Sequence, residues 1–387
     1  MILRGLELVG TDRPPCDVRV SGGVFTHVGQ VASRRAAAGP VDAEVAFTDA
    51  IACPGLVNSH DHLEFDLYPS LGHRHYGDYL EWGEDIHSRD ATTIAAIESL
   101  PRRLRLEWGA LKNLIAGVTT AAHHGPAVDN PALASLPIAC VPRGSSIHSL
   151  RLGGRWRWRL NAPRPREPYV FHLAEGTSEA ARREVDELVR WNLLGRELVA
   201  VHAVAMNAAQ ADRFRAVVWC PLSNEFLFGA TADVAHLKAR TAILFGTDST
   251  LTAGWNLWVH LRRARAAGVL SDQELLASMT STPARVWRLP QAGRIDEGNV
   301  ASLLIARKKH ENRWDAFFAI DPEDLLLVVH RGVVLLADVS VPDVDVAVPS
   351  TRIRINGSEK RVAADVGRLL EGIRSRGVEP NIPIALA

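Results

Sequence analysis

Lysine is nearly missing from this chain: only Lys112, Lys238, Lys308, Lys309 and Lys360 stand among 387 residues. Arginine fills the deficit, since lysine and arginine together number 44 and balance 44 aspartates and glutamates. With a formal net charge of zero, no global field gathers nucleic acid or an anionic membrane. Cysteine is scarce as well. Cys16, Cys53, Cys140 and Cys220 are scattered through apolar segments without CxxC spacing, which reads as small buried thiols rather than zinc knuckles or a disulfide framework. No stretch approaches the roughly 18 uninterrupted apolar residues of a membrane span. The opening MILRGLELVG lacks the basic start and apolar run of a secretion signal, so a reducing cytoplasm is the expected location. Hydrophobic residues at 47% and charged residues at 23% are ordinary for a globular protein and exclude a disordered or fibrous chain.

What is present is a change of rhythm along the chain. Residues 1–50 carry short apolar runs broken by Gly and by Asp-Arg-Pro-Pro, the rhythm of hairpins. From about 51 to 290, apolar runs such as PYVFHLAE, LVAVHAVAM and AILFGTDS alternate with amphipathic stretches such as SEAARREVDELVRWNLL. This alternation predicts βα units around a parallel sheet. After Gly293 the hairpin rhythm returns, with an Asn356-Gly357 turn inside TRIRINGSEKRV. ADVGRLLEGIRSRG then predicts a short helix before the tail.

The chemistry starts at PGLVNSHDHLEF. His60 and His62 are two apart, so on a strand they point to one side and can share an ion. Alone, the pair is equally the mark of two ordinary strand histidines. Three further strand ends add to it: His172 closes PYVFHLAEG with Glu175 three residues on, His202 lies in LVAVHAVAM, and Asp248 ends AILFGTDS. Each falls at the carboxyl end of its expected strand, where α/β barrels place catalytic groups. Taken singly, a histidine in an apolar strand is also a core residue, and an aspartate before Ser-Thr is also a helix cap.

With these segments in order, the chain resembles the amidohydrolase superfamily, in its cytosine deaminase, guanine deaminase and triazine chlorohydrolase branch. The resemblance runs from the strand-rich start through PGLVNSHDH, GVTT, HLAE, AVHAV, CPLSN, GTDS and TSTPARVW to GRIDEGNVASLLI. It implies a TIM-like (β/α)8 barrel over residues 54–290, with an abbreviated α4 region, and a small composite β-sandwich from 1–53 and 291–355. A C-terminal helix and tail take 356–387. It also implies that His60, His62, His172 and Asp248 hold a metal, with Glu175 and His202 as acid and base beside it and Asp248 also catalytic. Two-metal members bridge their ions with a carboxylated lysine, usually on the fourth strand, and no lysine lies between Lys112 and Lys238. One divalent ion follows, zinc by default and ferrous iron as the alternative.

The implied reaction is hydrolysis of a non-peptide carbon–nitrogen bond, foremost deamination of an amino-substituted heterocycle. Chlorohydrolase-type dehalogenation and opening of a cyclic amide use the same hydroxide. A ligand-binding relative without activity is the reading from another class, but it needs a broken metal set and all six positions are filled. In the insertion after the first strand, His73, His75, Tyr76, Tyr79 and Trp82 are candidates for a loop over the pocket. His123 and His124, Arg143, His148 and Asn224 are placed to line the mouth of the site. The segment CPLSNEFLFG departs from the family pattern and is expected to border the pocket with Asn224, Glu225 and Phe228. So does RWRWRL, whose alternation predicts a fourth strand with Trp156, Trp158 and Leu160 on one face. Without a full helix after it, that strand leaves barrel surface for a second subunit to cover, and a dimer is expected. The expected partners are a small nitrogen heterocycle and another copy of the chain, with neither nucleic acid nor membrane.

Overall fold

The computed structural model describes residues 1–30, 43–125, 130–141, 145–163, 168–342 and 344–387. Its two chain ends meet in one mixed sheet of eleven strands among the described residues. Ala50–Pro54 runs antiparallel to Leu303–Arg307, with Cys53 opposite Leu304, and this pairing joins the amino-terminal strands to the carboxyl-terminal ones. The Asn356-Gly357 turn connects Thr351–Ile355 to Ser358–Val362, both turn residues having positive φ (46° and 84°) as a tight hairpin requires. The helix Val366–Arg374 follows, and Ile384–Leu386 returns to the sheet beside Thr351–Ile355.

The middle of the chain forms parallel strands. They are β1 (Leu56–Asp61), β2 (Val118–His123), β3 (Ala139–Cys140), β4 (Ser145–Ile147), β5 (Tyr169–Leu173), β6 (Leu198–His202), β7 (Ala216–Trp219) and β8 (Ala242–Phe245). β1, β2 and β3 form one parallel sheet, and β4 to β8 form another in sequence order. Runs such as YVFHL and LVAVH are buried at every position, as strands covered on both faces must be. The chain is thus an α/β fold with parallel sheets. Among the described residues no helix is long and apolar enough to cross a membrane.

RWRWRL is not the fourth strand. Residues Trp156–Asn161 form a helix, and the fourth parallel strand is Ser145–Ile147. The alternation reading required Trp156, Trp158 and Leu160 to share a face, yet Trp158 is 69% exposed while Trp156 and Leu160 are buried. Trp156 and Leu160 are four apart, so one helical face carries both into the core and turns Trp158 outward. The Arg157 guanidinium then sits over the rings of Trp156 (4.8 Å) and Trp191 (5.0 Å).

Candidate metal centre and pocket

Four imidazoles and two carboxylates converge where the parallel strands end. His60 comes from β1 and His62 from the residue after it, His172 from β5 and His202 from β6, while Asp248 follows β8. Two triads, His60/His62/Asp248 and His60/His172/His202, each have their ligand atoms within 4.8 Å of one another. His62 Nε2 lies 3.0 Å from His172 Nε2, and Asp248 Oδ1 lies 3.5 Å from His60 Nε2 and 3.9 Å from His62 Nε2. Donor atoms around a tetrahedral zinc with bonds near 2.1 Å stand about 3.4 Å apart, so the spacing suits such an ion.

The neighbours of each ring decide which nitrogen faces the centre. A carbonyl oxygen only accepts, so His172 Nδ1 donates to His148 O at 2.7 Å and keeps its lone pair on Nε2. In the same way His202 Nδ1 donates to Asn224 Oδ1 at 2.8 Å, leaving Nε2 to face Glu175 Oε1 at 3.7 Å. His60 Nδ1 pairs with His124 Nδ1 at 2.5 Å, while His60 Nε2 is buried without a hydrogen-bond partner. An orphaned, buried nitrogen aimed at other lone pairs is what a cation site offers when its protein atoms are considered alone.

Electrostatics agree with the geometry. Burial, reinforced by neighbouring imidazoles, pushes His62 and His172 well below the usual histidine range, so both rings are neutral and able to ligate. Burial works against the charge on Asp248, but the imidazoles of His60, His202 and His62 beside it outweigh burial. The carboxyl sits well below its usual range. Asp248 Oδ2 also accepts from Ser223 Oγ at 2.7 Å and Thr252 Oγ1 at 2.8 Å. Glu175 goes the other way. Burial pushes it up to about 7, although His202 pulls it down.

The backbone holds these groups with effort. Ala174, His202, Ala203 and Asp248 all have positive φ, between 51° and 69°, which costs a non-glycine residue about 1–3 kcal/mol. Gly246 sits so close to β1 that a Cβ there would lie 2.7 Å from the His60 Cβ. The amide of Asp248 donates to His60 O at 3.1 Å, tying the first and last parallel strands at the site.

A cavity of about 200 Å³ opens onto His62, His172, Glu175, His202 and Asp248. Its walls are aromatic and aliphatic, with Tyr79, Trp82 and Ile86 contributed by the helix Tyr79–Arg89 of the insertion. Trp82 and His148 therefore lie where the sequence placed them, and His148 stacks on His172 with centroids 4.7 Å apart. Asn224 is one step removed, acting on His202. His123 is turned away: its Nδ1 accepts from Leu63 N at 3.3 Å, whereas His124 joins the imidazoles. Adjacent residues leaving a strand point to opposite sides, so only one of the two could face the centre. Arg143 lies outside the described residues. Tyr76 hydrogen-bonds Asp85 instead of lining the cavity, and exposed His73 pairs with Asp90. CPLSNEFLFG is a helix, Pro221–Phe228, in which Glu225 pairs with Arg263. Ser223 and Thr252 were missed, because nothing in sequence marks either hydroxyl, 25 residues before Asp248 and 4 after it, as the support of that carboxylate.

No protein-family profile and no curated protein sequence matches this chain. Solved structures do. Atrazine chlorohydrolase from Arthrobacter aurescens TC1, complexed with zinc, superposes with a TM-score of 0.68 at 19% identity, covering 97% of this chain and 99% of that one. An adenosine deaminase from Xanthomonas campestris with bound zinc gives 0.67 at 18% identity over 89% of this chain and 94% of that one. The fold is the one these zinc-bound enzymes share. Guanine deaminase from C. acetobutylicum, solved with guanine in its active site, extends the likeness at a TM-score of 0.63 and 15% identity, over 86% of this chain and 99% of that one.

Proposed function

We propose that this chain is a zinc-dependent hydrolase that deaminates an amino-substituted nitrogen heterocycle. The observation that carries the reading is Glu175: a buried carboxyl pushed up to about 7, facing His202 at 3.7 Å and opening onto the same cavity as the His/Asp cluster. In this reading the two parallel sheets are arcs of one (β/α)8 barrel over 54–290, and 1–53 with 291–355 make its β-sandwich. His60, His62, His172 and Asp248 hold one ion, zinc by default, with ferrous iron chemically compatible. Bound there, the ion supplies Lewis acidity that brings the ionisation of water from 15.7 down to about 7.

The remaining work belongs to the protein. Near neutrality Glu175 is close to half ionised, so it can take a proton from water and return it to a ring nitrogen of the substrate. His202, held with Nε2 inward by Asn224, polarises the substituent on the attacked carbon. Asp248 stays ionised and accepts a hydrogen bond that orients the attacking water. Tyr79 and Trp82 give a flat ring an apolar face to lie against. The second proton of the attacking water passes to the amino group as the carbon–nitrogen bond breaks, and departure of that group as ammonia completes the turnover. The buried thiols of Cys16, Cys53 and Cys220 fit a reducing cytoplasm.

The test is metal analysis of the purified protein joined to a screen for ammonia from aminopurines, aminopyrimidines and guanidino heterocycles. About one zinc per chain, lost in His60→Ala, and ammonia from at least one compound are expected. Chloride from a chlorinated triazine, with no ammonia from any amine, moves the reaction to dehalogenation, which the likeness to atrazine chlorohydrolase makes the second reading. A folded protein that binds no metal refutes both.

A further inference from the structure

Residues 151–166, which include RWRWRL, hold six arginines, and the proposed chemistry leaves the first of them unexplained. Arg151 spans two carboxylates from different elements: its Nε donates to Glu184 Oε1 at 2.7 Å and its Nη2 to Asp78 Oδ2 at 2.9 Å. Its guanidinium carbon also lies 4.9 Å from the centroid of the Tyr79 ring, whose hydroxyl donates to the same Glu184 oxygen at 3.0 Å. Glu184 belongs to the helix Glu179–Trp191 that follows Glu175, and it is buried. Asp78 caps the pocket helix Tyr79–Arg89 through its other oxygen.

These side chains lock a backbone contact that runs directly to Glu175. Tyr79 N donates to Glu175 O at 3.2 Å, and Thr177 N and Ser178 N both donate to Gly77 O, at 2.9 and 3.1 Å. Asp78 and Gly176 form an antiparallel bridge. The two strands of chain are so close that a Cβ on Gly176, whose φ is +147°, would fall 2.4 Å from Gly77 O and 2.6 Å from Asp78 Cα. Ser178 Oγ adds a bond to Asp78 Oδ2 at 3.1 Å. The pocket wall and the acid are therefore one clasped unit.

We infer that Arg151 is a positioning residue that fixes the Glu175 carboxyl in register with the pocket wall formed by Tyr79 and Trp82. It touches neither substrate nor metal and acts through Asp78, Tyr79 and Glu184. Arginine suits the position because its planar fork reaches two carboxylates at once, which a lysine ammonium on a single stem does less well. A substrate group that displaces Tyr79 then displaces Glu175 too, so pocket fit and proton transfer are coupled.

The inference rests on the proposed hydrolase reading, and its test separates the two. Zinc-loaded wild type, Arg151→Gln and Arg151→Lys are compared on the heterocycle found in the ammonia screen. Arg151→Gln is expected to lose at least tenfold in kcat with KM changed less than threefold and one zinc retained, and Arg151→Lys to recover part of the loss. Unchanged kcat, or a loss in folded protein that is matched by an equal loss of bound metal, overturns the inference. Should Arg151→Gln fail to fold, Asp78→Asn takes its place: it keeps a capping oxygen but removes the charge paired with Arg151, and the same kcat loss is expected. If wild type turns over no heterocycle, the hydrolase reading has failed and the clasp is judged by amide hydrogen exchange. Arg151→Gln should then speed exchange at Tyr79, Thr177 and Ser178 at least tenfold without changing Val199 to Val201, and equal protection in both proteins overturns it.

Discussion

Ser223→Ala tests the centre without replacing any proposed ligand. Asp248 Oδ2 accepts from Ser223 Oγ at 2.7 Å and Thr252 Oγ1 at 2.8 Å, while Oδ1 faces His60 and His62. Removing the serine hydroxyl leaves the carboxylate one donor short in a site where water barely penetrates, Asp248 being 4% exposed. A hydrogen bond to a charged group contributes about 1.5–3 kcal/mol. At about 1.4 kcal/mol per tenfold, that is roughly 10- to 100-fold in affinity for a cation that depends on Asp248 being held in place. Because the substitution removes one atom from a helix start and opens little volume, global stability should change much less than metal affinity. The assay is competition for zinc with a chelator of known affinity, alongside thermal unfolding of the metal-free protein. A 10- to 100-fold weaker zinc constant is expected for Ser223→Ala, with Ser223→Thr closer to wild type. An unchanged zinc constant in a folded Ser223→Ala protein would refute the assignment of Asp248 as a ligand supported by this hydroxyl.

Glu175→Gln should lower kcat by about 100-fold or more while one zinc per chain is retained, since a positioned acid–base group contributes about 10²- to 10⁴-fold; full turnover with bound metal sinks the role. Because Glu175 keeps its proton to about pH 7 when folded but only to 4.5 when unfolded, the folded state binds the extra proton and loses stability as pH rises through that window. The metal-free wild type should therefore lose about 3 kcal/mol relative to Glu175→Gln between pH 4.5 and 7, read by denaturant unfolding, and parallel curves would contradict the raised value. Trp156→Ala should cost about 3–5 kcal/mol and Trp158→Ala about 0.5 kcal/mol or less, because only the first is buried. Equal costs would restore the strand reading of RWRWRL.

Most of the candidate site was legible because it is written in strand ends. His60 and His62 two apart, a histidine closing PYVFH, another in LVAVH and an aspartate after AILFGT are local patterns whose meaning depends only on strand direction and alternation, and the structure brings all of them together. The failures have a common cause. RWRWRL alternates in sequence, yet its burial was decided by the surface it packs on, and helical spacing of Trp156 and Leu160 satisfied that surface where strand spacing could not. His123 and His124 are equivalent in sequence, and only the exit path of the chain after β2 selects His124. Ser223 and Arg151 act across 25 and 33 residues on Asp248 and Glu184, at separations that no local pattern encodes.

The shortage of lysine gains force from the structure. A lysine that bridges two ions must first lose its proton, since carboxylation needs a neutral amine. Of the five lysines only Lys112 approaches the centre, its Nζ lying 3.5 Å from the carbonyl oxygen of Asp248. That ammonium is 2.9 Å from Asp61 Oδ2 and 2.7 Å from Asp66 Oδ1. Burial would lower its pKa, but the two carboxylates outweigh burial and hold it above the usual lysine value. Asn58 and Asn113 each donate to the same Asp61 oxygen, at 3.0 and 2.7 Å, so the ammonium belongs to a closed polar floor beneath β1 and β8. A charge so held offers no lone pair to carbon dioxide or to a second ion. Lys112 thus adds a physical reason, beyond the lysine-free stretch after it, for a centre built around one ion.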